Sequence, residues 1–221
     1  MTTSVSLARS VPSSTLRATP IIAVLRAQNA RQYEPVVRVL VENGIRSIEL
    51  TLSTPDTFEH LAALQSGFGS EVEMGIGTIV NVDQAQRAID AGASYLVTPI
   101  VNLEVIALAV RSGIPVFPGG LTPTELFSAW AAGATAVKIF PAETVGPQFG
   151  GHLRGPFPDL QFIPSGGIGL GDISDWLAAG ATAVSLGGPL IGDALMGGSL
   201  KLLAERARRV TELAAEARRR S

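Results

Sequence analysis

The 221-residue chain contains no cysteine, so disulfides, thiolate nucleophiles and thiolate metal ligands are all excluded. Histidine is nearly absent as well. His60 and His152 stand far apart, in no spacing that ligates a metal, and both read as surface residues. No apolar run reaches the roughly 18–20 residues that a membrane span needs. A net charge of −2 makes no electrostatic case for nucleic acid or an anionic membrane. The first 19 residues hold no acid, are rich in Ser and Thr, and carry Arg9 and Arg17. With no secretory h-region, they read as an extension or a short capping helix ahead of a domain over 20–221, and the expected location is cytoplasmic.

Lysine is the most informative scarcity. There are two, Lys138 and Lys201, against 15 arginines. Wherever a generic positive charge serves, this chain uses Arg. A guanidinium cannot become a nucleophilic amine, whereas a desolvated lysine can. Lys138 lies in Ala134-Thr135-Ala136-Val137-Lys138-Ile139-Phe140-Pro141, a β-branched and apolar stretch that reads as a short buried strand. Its plainer reading is a lysine snorkelling from a strand end to solvent. The neighbouring loops decide between the two.

Glycines mark a repeat. Asn43-Gly44, Ala91-Gly92, Ser112-Gly113, Ala132-Gly133 and Ala179-Gly180 each follow a helix-like segment and precede an apolar strand-like one. Each glycine suits a left-handed helix C-cap. The period of about 20–24 residues is the length of one strand, one helix and two short loops, with Gly67 or Gly69 and Gly155 near the intermediate positions. Eight strands are expected, at 20–26, 46–50, 72–76, 94–97, 115–117, 135–139, 160–163 and 182–186. Short, nearly all-apolar strands alternating with amphipathic segments predict a single-domain α/β fold, a parallel eight-stranded (β/α)8 TIM barrel. An open doubly wound sheet would want a G-x-G-x-x-G after the first strand, and none follows. The helix after the sixth strand is expected to be short, interrupted by Pro147 and Gly150-Gly151. The last is expected to run from about Asp193 to Arg219, with its basic end on solvent.

A barrel of this kind carries its active site at the C-terminal strand ends. Those ends supply Arg26, Glu49, Thr51, Ser53, Thr78, Thr98-Pro99, Lys138, Ser165-Gly166-Gly167 and Gly187-Gly188. One arginine, one carboxylate and one lysine thus converge on an apolar mouth. Holding a free lysine as the neutral amine at pH 7 costs about 4.6 kcal/mol. Burial and a nearby arginine favour that form, and a carboxylate opposes it. Glu49 reads as a proton shuttle, with a structural pairing to Arg46 or Arg26 as the alternative. The glycine pairs after strands seven and eight read as a phosphate site built on backbone N–H groups, or as tight turns.

These residues resemble the class I 2-keto-3-deoxy-6-phosphogluconate (KDPG) and 4-hydroxy-2-oxoglutarate (KHG) aldolases. The resemblance rests on Ile21–Ala27, Ile48–Leu52, Gly75–Ile79, Val97–Pro99, Val137–Glu143, Val145–Phe149 and Pro164–Ile168, in the family's order. It implies that Lys138 is the Schiff-base lysine and Glu49 the general acid/base. It also implies that Arg26 and Thr78 contact the substrate carboxylate, that Pro99 walls the site, and that Phe140 packs on the pyruvyl methyl group. Ser165, Gly166, Gly167, Gly187 and Gly188 are then the phosphate end. The expected enzyme is a lyase without metal or other cofactor, acting as a homotrimer on a small phosphorylated 2-keto acid.

The expected reaction is reversible cleavage of KDPG to pyruvate and glyceraldehyde 3-phosphate. Alternatives are the galactose-configured epimer (KDPGal), KHG cleaved to pyruvate and glyoxylate, a phosphosugar isomerase without a covalent intermediate, and a non-catalytic phosphosugar-binding barrel. Two departures from the resemblance bear on substrate choice. Ser53 stands where some members carry arginine, and Gly187-Gly188-Pro189 where many have Gly-Ser.

Overall fold

A computed structural model describes residues 9–220. Residues 1–8, the first part of the expected extension, lie outside the described residues, as does Ser221. The chain enters through a short helix, α1 (Ser14–Ala18), whose first turn is capped by Ser13 Oγ accepting from Leu16 N–H at 2.9 Å. Ahead of it, Arg9 lies 3.5 Å over the Trp130 ring and donates to the Ala134 carbonyl.

Eight parallel strands follow: β1 (Ile21–Leu25), β2 (Ser47–Thr51), β3 (Glu73–Gly77), β4 (Leu96–Thr98), β5 (Val116–Gly120), β6 (Val137–Ile139), β7 (Phe162–Pro164) and β8 (Val184–Leu186). They pair in sequence order, β8 returns to β1, and a bridge between Ser165 and Ser185 brings β7 and β8 together. Helices α2 (Tyr33–Glu42), α3 (Thr57–Phe68), α4 (Val82–Asp90), α5 (Leu103–Arg111), α6 (Pro123–Ala131), α7 (Gln148–Arg154) and α8 (Ile173–Ala178) alternate with the strands. A four-residue helix α9 (Gly188–Ile191) and the long α10 (Leu200–Arg220) complete the barrel. None of these helices is long and apolar enough to cross a membrane.

Strand alternation divides the apolar residues between two cores. Leu25, Ile48, Leu50, Ile76 and Val184 face the helices, in one large cluster with Val36, Leu40 and Trp176. Ile22, Tyr95, Val97, Phe117, Ala136, Ile163 and Ala183 form a smaller cluster, joined by Leu16 of α1. Leu16 is 1% exposed, so α1 contributes to this second core.

Three boundaries differ from expectation. β5 runs through Pro118-Gly119-Gly120, where the strand was expected to end at Phe117. Gly119 and Gly120 pair with Lys138 and Ile139, and a Cβ on Gly119 would lie 2.7 Å from the Thr98 carbonyl oxygen. Gly150-Gly151 does not interrupt α7. Gly150 is instead the place where the Phe162 ring approaches, 2.4 Å from where a Cβ would stand. The last helix begins at Leu200 rather than Asp193. Gly197 is left-handed, at φ 81°, and Ser199 Oγ caps the new start by accepting from Leu202 N–H. The stretch 193–199 thereby holds only one 3-10 turn, Ala194–Met196, ahead of α10.

Candidate active site

Lys138 is the middle residue of the three-residue strand β6, flanked by Val137 and Ile139, both fully buried on the helix side. Strand alternation therefore turns Lys138 into the barrel. Glu49, on β2, faces inward by the same rule. Its carboxylate lies over Gly77 of β3, where a Cβ would stand 2.0 Å from Oε1. A glycine is required there because any side chain would displace the carboxylate. The result is Lys138 Nζ 4.0 Å from Glu49 Oε1, with side chains 10% and 3% exposed.

This excludes the expected alternative for Glu49. Arg46 pairs instead with the exposed Glu71, and Arg26 forms no ion pair among the described residues. Two opposite charges this deeply buried are retained at a desolvation cost, which makes a purely structural pairing a poor use of them. Lys138 Nζ also sits 5.1 Å from the Phe140 ring centroid. The Phe140–Pro141 peptide bond is cis, and the Phe140 ring packs on Gly166.

A cavity of about 460 Å³ opens over this pair. It is lined by Arg26, Glu49, Thr51, Thr78, Pro99, Lys138, Phe140, Ser165, Gly166, Gly167, Gly187 and Gly188, whereas Ser53 and Thr98, also named at the strand ends, are not part of the lining. Thr78 has φ 65°, a left-handed conformation that costs a β-branched residue about 1–3 kcal/mol. Strain of that kind is tolerated where a side chain must be aimed. Gly166 and Gly167 are also left-handed, at φ 88° and 74°, and Glu143 lies against Gly167 in the space a Cβ would need. Arg26, Glu49 and Lys138 are the charged side chains in the lining. Among the described residues no three His, Cys, Asp or Glu side chains gather as a metal site.

The sequence reading missed Ser185, Ile191, Leu195 and Met196, which also line the cavity. Ser185 had a signal in its alignment with Lys138 across the repeat. Leu195 and Met196 come from the segment expected to start the last helix and Ile191 from the short α9 just before it, and none of the three carries a polar group to flag it.

The sequence model of the KDPG and KHG aldolase family matches residues 13–200. The chain belongs to that family. As a member it is an aldolase, a carbon–carbon lyase of the KDPG aldolase type. A probable 2-dehydro-3-deoxy-6-phosphogalactonate aldolase from Rhizobium meliloti is 34% identical over 183 residues, covering 82% of this chain and 86% of that one. A 2-dehydro-3-deoxy-phosphogluconate aldolase from Treponema pallidum is 35% identical over 164 residues, covering 74% and 76%. Among solved structures, a native KDPGal structure superposes with a TM-score of 0.84 at 30% identity, covering 90% of this chain and 96% of the other.

Proposed function

We propose that this aldolase cleaves KDPG reversibly to pyruvate and glyceraldehyde 3-phosphate through a Schiff base on Lys138. The observation that carries the reading is the buried lysine 4.0 Å from a buried carboxylate at the base of the cavity. Neutral Lys138 attacks the C2 ketone, and the carbinolamine loses water to give an iminium. As the C4 hydroxyl gives up its proton, the C3–C4 bond breaks and its electron pair passes into the enamine. Glyceraldehyde 3-phosphate leaves, C3 takes a proton, and hydrolysis of the iminium returns pyruvate and the free amine. Glu49 moves the protons, directly or through one water.

In this reading Arg26 and Thr78 hold the carboxylate, Pro99 walls the site and Phe140 packs on the pyruvyl methyl group. Ser165 and the backbone N–H groups of Gly166, Gly167, Gly187 and Gly188 receive the phosphate. No metal or other cofactor takes part. The working form is a homotrimer in the cytoplasm, in Entner–Doudoroff-type breakdown of sugar acids.

A second reading keeps this chemistry and changes the substrate to the galactonate epimer. The similarity to a relative named for the phosphogalactonate and to the KDPGal structure favours it. A lactate dehydrogenase-coupled assay on KDPG, KDPGal and KHG ranks the substrates by kcat/KM. Borohydride added with pyruvate should fix a pyruvyl mass on the peptide containing Lys138. Full activity with Lys138 unmodified would sink the proposal.

A further inference from the structure

β1 ends its ladder at Leu25, paired with Leu50, and Arg26 is the next residue. The backbone around Arg26 is therefore held by something other than the sheet. Thr51 Oγ1 donates to the Leu25 carbonyl at 3.1 Å, which pins the peptide group before Arg26. Thr54 Oγ1 accepts from Ala27 N–H at 2.9 Å, which pins the peptide group after it. The same Thr54 hydroxyl donates its proton back to the Ala27 carbonyl at 3.1 Å.

A threonine hydroxyl has one proton to give. With that of Thr51 on Leu25, the 2.9 Å contact between Thr51 and Ser53 has Ser53 as donor. Thr57 Oγ1 closes the loop on itself, its one proton shared between the carbonyl of Thr54 at 2.9 Å and that of Thr51 at 3.2 Å. Beneath lies Tyr33, fully buried, its phenol oxygen facing these hydroxyls without a well-formed hydrogen bond. Burial raises the phenol's pKa above its ordinary value. Thr51 and Thr54 are 1% and 2% exposed, so solvent does not compete for their bonds.

Arg26 itself is exposed, and its guanidinium makes no hydrogen bond or ion pair among the described residues. Among the described residues it is also the only arginine lining the cavity, and the loop after β2 carries Ser53 and no cation. A free, long side chain costs entropy to order, and its direction is inherited from the two peptide planes at its root. We propose that Thr54, with Thr51, is a positioning residue for Arg26, clamping the peptide planes on either side of it so that its guanidinium is aimed at the substrate carboxylate. This rests on the reading of Arg26 as the carboxylate contact.

Thr54 does not line the cavity and is the cleaner member to change. Thr54→Val keeps the shape and removes the hydroxyl. The KM for the 2-keto acid should rise about tenfold, the worth of a clamp of one or two hydrogen bonds, while kcat stays within about threefold. The pyruvate concentration giving half-maximal borohydride trapping should rise by the same factor, and Thr54→Ser should restore both. In an Arg26→Met background the further change Thr54→Val should add nothing. A KM within twofold of the parent overturns the proposal. So does loss of activity that merely tracks loss of folded protein, or a full Thr54→Val effect persisting without Arg26. If Arg26→Met alone leaves KM unchanged, it is the carboxylate reading of Arg26 that has failed.

Discussion

Ala131–Lys138 and Ala178–Ser185 share seven of eight residues and differ only in the last. Their structures agree to the same degree. Gly133 and Gly180 are both left-handed, at φ 103° and 92°. Ala134 N–H reaches the Ala129 carbonyl at 3.2 Å, and Ala181 N–H reaches that of Trp176 at 3.1 Å. Ala136 and Ala183 both enter the inner core, and Val137 and Val184 the outer one. The eighth position then holds a lysine in β6 and a serine in β8, both lining the same cavity. The frame is thus indifferent to chemistry. What separates the two strands is one side chain and its partner: Lys138 meets Glu49, whereas Ser185 meets Ser165 at 3.3 Å.

The largest expected effect breaks the comparison at its distinguishing residue. Lys138→Arg keeps a cation beside Glu49, so the buried carboxylate is not stranded, yet it removes the amine. Turnover in the coupled assay should fall at least about a thousandfold. The thermal unfolding midpoint should stay close to the parent's. Retention of a tenth of the activity would show that Lys138 is no more chemical than Ser185. Glu49→Gln comes next, because it keeps the shape and removes the carboxylate proposed to move the protons. There kcat should drop about 10²–10³-fold, with the KM for the keto acid changing much less. Equal losses in both constants would make Glu49 a binding residue.

The likeness of the two strands was legible in the sequence because it rests on glycine, whose lack of a Cβ is needed at fixed intervals. The inward residues of the site were legible because charge or a glycine pair marks a strand end in an otherwise apolar mouth. Other features had no such mark. Gly119 and Gly120 were left outside the expected strand, since nothing local announces that Thr98 and Pro99 press against Gly119. Residues 193–196 read as the start of the last helix, and the Gly197-Gly198 pair was not taken as a signal to move that start to Leu200. Thr54 was passed over because its hydroxyl serves a backbone 27 residues away.

The shared frame has its own test, smaller and on stability. Gly133→Ala and Gly180→Ala each force a left-handed Cβ, at about 1–2 kcal/mol in chemical denaturation. The surroundings differ little in consequence. The new Cβ would stand 3.1 Å from Val110 Cγ2 in one case and 2.1 Å from Arg154 Nη1 in the other, the latter at the tip of a flexible side chain. The two losses should agree within about 1 kcal/mol, with kcat unchanged in both. A loss confined to one glycine would mean that the repeat is one of sequence only.

Ser185→Ala should do least. Ser185 is 3% exposed and its bond to Ser165 is long, at 3.3 Å. Removing the hydroxyl leaves Ser165 Oγ at the edge of a cavity that water can enter, so the unpaired group is not stranded in apolar surroundings. A net hydrogen bond of this kind is worth about 1 kcal/mol, which bounds the loss in kcat/KM at roughly fivefold. The loss should appear in KM for the phosphorylated substrate more than in kcat, because Ser165 immediately precedes, and Ser185 stands two residues before, a glycine pair proposed to receive the phosphate. A hundredfold fall in kcat would instead make the eighth position a reacting one on both strands, and the division between frame and chemistry would have to be redrawn.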